Sequence, residues 1–299
     1  MHLDNVGLKI DCKQVPQTLT TKALAATRGT LMIKDLSLED FLLRNRISTE
    51  TWGKANIEWS LLQEIAADHE DQSERLGESA KLFASTIQKF GKVHSVRWRV
   101  KDPEHLLEKI VRKRVGKNEK YEDISPENYY ERVTDLVGIR ALHLFKEDCL
   151  EIDLAIKDSW EIIETPVVYV RDGDSDELIK MFKEKNFEVK VHPAGYRSVH
   201  YVFESSPNKR KLITEIQVRT IFEEGWSEID HKVRYPNFSD NEQVLYFLAI
   251  FNRLAGSADE MGGFVLGLVA TIHRLEKSAA NATKEKGFLS GIGARNFVE

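Results

Sequence analysis

The chain has 299 residues, 41% of them hydrophobic and 30% charged, which fits one large or two modest packed domains and excludes global disorder. A formal net charge of −5 excludes a protein wholly devoted to coating nucleic acid, so any anion site must be a local concentration of Lys and Arg. The two cysteines, Cys12 and Cys149, supply neither metal-ligand spacing nor a disulfide framework, and the chain has no internal repeat.

Residues 1–6 lack the basic start and apolar run of a secretory signal, and the longest apolar run, 264–272, is far short of a membrane span. A soluble, cytoplasmic protein without membrane contact is expected. No role is assigned to residues 1–35. Ser37 and Ser48 each precede an acidic first turn and read as helix caps. From Trp52 to Phe90 apolar residues recur three and four apart (Ile57, Leu61, Leu62, Ile65, then Leu76, Phe83, Ile87), predicting one long helical region with a break near 71–73. His69 lies among acids in it, an arrangement that a solvated helix face also produces.

The segment 93–114 is the densest positive stretch. Its first part alternates, placing Arg97, Arg99 and Lys101 on one side of a strand and Val96, Trp98 and Val100 on the other. Like charges on one face repel, which suggests an anion such as phosphate. Asp102 and Pro103 then open a helix carrying Lys109 and Lys113 on one face. After a loop at 117–125 and a short helix capped by Ser125, Asp135 stands at the mouth of an apolar strand bearing Arg140. That is a fitting place for a metal ligand beside a nucleotide, and also an ordinary helix-to-strand turn. Helix is predicted at 147–161 and 177–185, and strand at 167–170 and 187–191. The acidic turn 171–176 is too short for a calcium loop.

Gly195 permits a sharp turn into a strand with Tyr196, Ser198 and His200 on one face and Val199, Tyr201 and Phe203 facing a core. The stretch 212–220 alternates most cleanly. Leu212, Thr214, Ile216 and Val218 share one face, and Ile213, Glu215, Gln217 and Arg219 the other. A helix follows directly and is ended by Pro236. A further helix covers 241–277, with Gly262–Gly263 as a candidate break, and a small-residue, basic tail covers 278–299.

Taken together, RVKDPEHLLEKI at 99–110, TDLVGIR at 134–140, GYRSVH at 195–200, EIQVRT at 215–220 and GWSEIDHKVRY at 225–235 resemble the synthetase domain of the RelA/SpoT family. These are ATP-dependent pyrophosphokinases that make pppGpp and ppGpp. The pieces stand in family order over about half the chain. The family's hydrolase motifs are not apparent, so the resemblance is to a small, synthetase-only member. It implies an α+β, nucleotidyltransferase-like synthetase fold: a mixed sheet of about five strands flanked by helices, with helical extensions at both ends. The expected organisation is an N-terminal extension over 1–50, a synthetase domain with flanking helices over 51–277, and a tail over 278–299.

The resemblance also implies roles. Arg99 and Arg140 would sandwich the adenine of ATP, and Lys101 and Lys109 would hold its phosphates. Asp135 and Glu215 would bind Mg²⁺, with Glu215 also placed to accept the hydroxyl proton. Tyr196 would stack on the acceptor's base, beside His200 and Gln217. The reaction implied is transfer of the β,γ-pyrophosphate of ATP to a ribose 3′-hydroxyl, with GDP or GTP as first-choice acceptor. Family enzymes that use those nucleotides commonly carry a Lys and an Asn before the Gly-Tyr, whereas this chain reads VHPAGY at 191–196. The alternative acceptor is therefore the 3′ end of tRNA, as in toxic family members, with an antitoxin or a second copy of the chain as protein partner. A third reading is an inactive nucleotide sensor or RNA-binding module.

Overall fold

The computed structural model describes residues 33–293 apart from 175, 193, 208 and 235–240. The unassigned stretch 1–32 and the stop at Pro236 lie outside the described residues. Three helices open the fold: α1 (Leu38–Arg44), α2 (Thr49–Ala55) and α3 (Trp59–Ile87). Ser37 and Ser48 cap the first two as expected, each side-chain oxygen accepting a backbone N–H at 3.1 Å. The predicted long helix is divided earlier than its periodicity suggested. Asn56 adopts the left-handed conformation, φ 47°, and ends α2. No break occurs at 71–73, where α3 runs straight through. Nothing there removes a backbone donor or forces a turn.

β1 (Ser95–Val100) leads into α4 (Pro103–Val115), capped by Asp102, whose Oδ1 accepts from the His105 N–H at 3.1 Å. The one-turn α5 (Tyr129–Arg132) precedes β2 (Val137–His143) and α6 (Asp148–Ser159). Then come β3 (Val167–Val170), α7 (Asp176–Glu184), β4 (Glu188–Val191), β5 (Ser198–Ser205) and β6 (Leu212–Thr220). Two helices finish the chain, α8 (Ile221–Arg234) and the 52-residue α9 (Glu242–Gly293).

Among the described residues the sheet has six strands in the order β1-β2-β6-β5-β3-β4, against the five or so expected. The fold is α+β with a mixed sheet. β2 runs parallel to β6 and β3 parallel to β4, while the other neighbours are antiparallel. Strand alternation divides the sheet into an apolar and a polar face. Val137, Ile139, Val199, Tyr201, Phe203, Ile216 and Val218 form the apolar face, buried against the second half of α3, α6 and α7. A second core, including Phe41, Leu62, Ile65, Leu106, Ile110 and Tyr129, gathers α1, α2, the first half of α3, α4 and α5. Thus α3 staples both cores. Each such fully buried aliphatic side chain contributes about 1.5–3 kcal/mol.

α9 is continuous through Gly262–Gly263, where a break was expected. A Cβ on Gly262 would make an ordinary van der Waals contact with the Phe145 ring at 3.7 Å, so neither space nor backbone conformation requires glycine here. Its cost of about 1 kcal/mol is small beside a 52-residue helix. The helix also runs on to Gly293 through much of the basic stretch read as a tail. Among the described residues no helix is long and apolar enough to cross a membrane.

Candidate active site

Cross-strand register assembles the polar face. Arg97 pairs with Arg140, Arg140 with Gln217, and Gln217 with His200, so these four form one row across β1, β2, β6 and β5. The adjacent row holds Arg99, Gly138 and Glu215. Gly138 therefore leaves no side chain between Arg99 and Glu215. Arg97, Arg99, Arg140, Glu215, Gln217, Glu228 and His231 line an open cleft on this face.

The β1–β2 half of this face is a set of ion pairs. Lys101 Nζ reaches Asp135 Oδ2 at 2.8 Å and Lys109 Nζ reaches Asp135 Oδ1 at 2.7 Å. Local structure explains the triad. The Lys101 N–H donates to the Leu136 carbonyl at 2.8 Å, which pins the end of β1 beside Asp135, and Pro103 starts α4 so that Lys109 arrives from above. Burial would raise the Asp135 carboxyl, but the charges and hydrogen bonds of Lys109 and Lys101 outweigh it and hold the group at about 2. Arg140 and Arg97 are paired with acids of α8: Arg140 with Glu224 at 3.0 Å and with Glu228, and Arg97 with Glu224 at 2.9 Å. Arg99, by contrast, has no ion pair among the described residues.

The β5–β6 half is a hydrogen-bonded chain with an aromatic end. Glu215 Oε1 lies 3.2 Å from His200 Nδ1, and Glu215 Oε2 accepts from Gln217 Nε2 at 2.8 Å. Gln217 Oε1 accepts from Arg219. The Tyr196 hydroxyl stands 3.3 Å from His200 Nε2 and 3.4 Å from Gln217 Oε1. Burial pushes the Glu215 carboxyl up, but the hydrogen bond and charge of His200 prevail and lower it. The nearby charge of Asp135 acts in the opposite direction, which places the two carboxylates within electrostatic reach of one another. The Arg219 guanidinium lies 4.8 Å above the Tyr196 ring centre, while Tyr169 and His192 approach its edges at 6.1 and 5.3 Å. Gly195, at φ +70°, makes the turn that delivers Tyr196. A Cβ there would sit 3.1 Å from Asn252 Oδ1, so both conformation and space require glycine.

The residues singled out from sequence thus fall into neighbouring groups: Asp135 with Lys101 and Lys109; Arg99 and Arg140 with Glu215 and Gln217 in the cleft; and Tyr196 with His200 and Gln217. Some details differ from expectation. Lys101, Lys109 and Arg140 are engaged by acids of the chain itself, so an incoming phosphate or base competes with those acids. Tyr196 already has one neighbour over its ring. Arg114, the last cation of the positive stretch 93–114, donates to the carbonyls of Ala55, Asn56, Tyr121 and Glu122 and is a structural bracket. His69 is buried, its Nε2 2.6 Å from the Lys101 carbonyl oxygen, and belongs to no metal cluster. Sequence reasoning passed over Glu224 and Glu228, Arg219 as the Tyr196 neighbour, and Tyr169. The four-residue spacing of the two glutamates on one helix face was the available signal. Among the described residues no group of three or more His, Cys, Asp or Glu side chains could hold a metal. Asp135 and Glu215 are the carboxylates of this face that could contribute to a divalent-cation site, with Asp135 first having to release Lys101 or Lys109. Hard, ionised carboxylates of this kind fit Mg²⁺.

Residues 98–240 match the family model described as the region found in RelA / SpoT proteins. Two curated Bacillus subtilis (strain 168) proteins are similar. GTP pyrophosphokinase YwaC is 24% identical over 168 residues, 53% of this chain and 69% of its own. GTP pyrophosphokinase YjbM is 24% identical over 201 residues, 65% of this chain and 80% of its own. Among solved structures, small alarmone synthetase 1 from Bacillus subtilis bound to its product pppGpp is 20% identical, with a TM-score of 0.47, covering 67% of this chain and 94% of that one. A GTP pyrophosphokinase family protein from Streptococcus pneumoniae is 21% identical, with a TM-score of 0.45, covering 70% and 93%.

Proposed function

We propose, from the premise that the chain carries a RelA/SpoT region over residues 98–240, that it transfers the β,γ-pyrophosphate of ATP to the 3′-hydroxyl of GDP or GTP. The observation that carries this reading is the sheet's polar face. A cation-lined cleft at Arg99 and Arg140 and an aromatic end at Tyr196 meet across Glu215. That arrangement suits two nucleotides approaching one another over a carboxylate. The names of the two curated relatives point to the same activity. ATP and nucleotide acceptors are consistent with a cytoplasmic setting.

Arg99 is available for the adenine of ATP, using the stacking capacity of a planar guanidinium. Arg140 joins it on yielding a glutamate. Lys101 and Lys109 meet the phosphates by exchanging one anion, Asp135, for another. Mg²⁺, when bound by Asp135 and Glu215, would neutralise charge gathering on the phosphate oxygens. Tyr196 orients the acceptor base, and Gln217 and His200 line its approach. The acceptor 3′-oxygen forms a bond to the β-phosphorus of ATP, the bond from that phosphorus to the α-bridging oxygen breaks, and AMP leaves with the electron pair. Glu215 takes the hydroxyl proton in this reading. Its lowered pKa keeps it ionised and so able to accept that proton.

The second reading keeps the chemistry and changes the acceptor to the 3′ end of tRNA. What favours it is the engagement of cations around Tyr196. Arg197 is held by Asp174 and Glu223, and Arg219 by Glu224, which leaves less positive charge for the 5′-phosphates of a free nucleotide. A protein with this architecture but no catalysis would be a nucleotide sensor or RNA-binding module. Incubation with γ-labelled ATP, Mg²⁺ and a mixture of GDP, GTP and bulk tRNA tests all three. Label in a guanosine product is expected. Label in tRNA selects the second reading, and no AMP release with any acceptor overturns both.

A further inference from the structure

α9 presents one row of residues to the body of the protein and leaves another bare. The inner row, Leu248, Asn252, Ala255 and Asp259, is buried. It is fixed by the Trp226 indole N–H of α8, which donates to the Leu248 carbonyl at 3.1 Å, and by the Thr220 hydroxyl, which donates to Asp259 at 2.9 Å. Beyond Gly263 the helix leaves the body, and every residue from 264 to 278 is exposed.

A second row starts at Val244 and advances by alternating steps of three and four residues to Leu275. One set of its positions is Val244, Phe251, Ala258, Val265 and Ile272. The other is Phe247, Leu254, Met261, Leu268 and Leu275. All are apolar, over more than four heptads, and a 3.5-residue repeat sustained for that length is the seam of a coiled coil. A helix that packed only on its own domain would need the inner row alone. The five residues of the second set, with Val265 and Ile272 of the first, are between 44% and 67% exposed. With the adjacent Phe264 and Val269 they leave on the order of 800 Å² bare, which is what one partner of a stable interface buries and more than a monomer ordinarily exposes in one patch.

We propose that this seam pairs with the same seam of a second copy of the chain, as a parallel two-stranded coiled coil. One row serves on both helices, so the contact closes on itself about a two-fold axis. The residue types favour that geometry. In the stretch clear of the body, Val265 and Ile272 fill the first set and Leu268 and Leu275 the second, and β-branched residues at one position with leucine at the other favour two parallel strands. No charged side chain stands in the row, so nothing in it repels a copy of itself. The pairing is independent of the reaction proposed above.

Sedimentation equilibrium of the full chain over a range of concentrations should return twice the chain mass. Leu268→Glu would bury an unpaired carboxylate in the paired seam, so it should weaken the dimer by about 100-fold or more. Leu275→Glu should act the same way and is the second variant should the first fail to fold. Arg274→Glu, on the same turns but off the row, should leave the dimer intact. Orientation can be read by oxidation. In a Cys12→Ser background, with Cys149 buried, Ile272→Cys should yield a disulfide-linked dimer, because like positions of the first set face each other in a parallel pair. A monomer at every concentration would overturn the proposal and leave the seam to a different protein. A dimer that survives both glutamate variants would place the contact elsewhere, and a dimer in which Ile272→Cys does not cross-link would overturn the parallel register.

Discussion

The two halves of the polar face solve opposite problems. The β1–β2 half concentrates positive charge and neutralises it internally: Asp135 serves two lysines, and Glu224 serves Arg97 and Arg140 of this half as well as Arg219 of β6. The β5–β6 half has one carboxylate, Glu215, and surrounds it with a histidine, an amide and aromatic rings. On the function proposed above, a polyphosphate would take the place of those internal anions. The second offers planar surfaces and hydrogen bonds and little unspent charge. A pyrophosphate donor and a base-bearing acceptor would call for that division.

Removal of Mg²⁺ tests both halves together and should have the largest effect. EDTA should abolish AMP release while leaving Tm unchanged, since the carboxylates contribute through substrate and not through a folded metal core. A fall in Tm on chelation would show instead that the fold depends on metal. Next, Glu215→Gln strikes the junction. It should lower turnover by about 10³-fold or more, with the circular dichroism spectrum preserved. Near-normal turnover in the folded variant would remove Glu215 from the chemistry.

Tyr196→Ala tests the aromatic half alone. One stacked base is worth about 1–3 kcal/mol, so acceptor efficiency should drop roughly 10- to 100-fold while the KM for ATP holds. An unchanged acceptor KM would separate Tyr196 from the acceptor. If tRNA is the acceptor, activity should also decline steeply with salt.

The charged half can be probed through stability. Asp135 has a folded pKa depressed to about 2, so its contribution is fully present above the unfolded value of 3.8 and is lost as pH falls through about 2. Ionisation of Asp135 beside Lys101 and Lys109 thus adds stability near neutrality, while burial of Lys101, which lowers its own pKa, acts against it. Melting curves of the protein and of Asp135→Asn should differ at pH 6 and converge by pH 2. Curves that stay parallel would deny the triad its strength. Smallest is Arg99→Ala, which should raise the KM for ATP by roughly 2- to 30-fold, as expected for one cation–π contact of about 0.5–2 kcal/mol. Arg140→Ala should add a loss of stability, because it leaves Glu224 and Glu228 short of a partner. Equal weakening toward ATP and acceptor would argue against an adenine sandwich.

What the sequence determined by itself was periodic or local. Alternation at 95–101, 195–203 and 212–220 already assigned Arg97, Arg99, Glu215, Gln217 and His200 to polar faces, because a strand's side chains alternate whatever lies beside it. Capping residues marked Ser37, Ser48 and Asp102 for the same reason: a cap is satisfied within its own turn. Tertiary structure decided what each charge faces. That Lys101 and Lys109 converge on Asp135, that Glu224 of α8 reaches Arg97 and Arg140, and that Arg219 covers Tyr196 all follow from strand order and helix placement. Those pairings join residues as far as 127 positions apart in the chain. The bare seam of α9 belongs to the same class, since whether an apolar row is covered depends on every element packed around it.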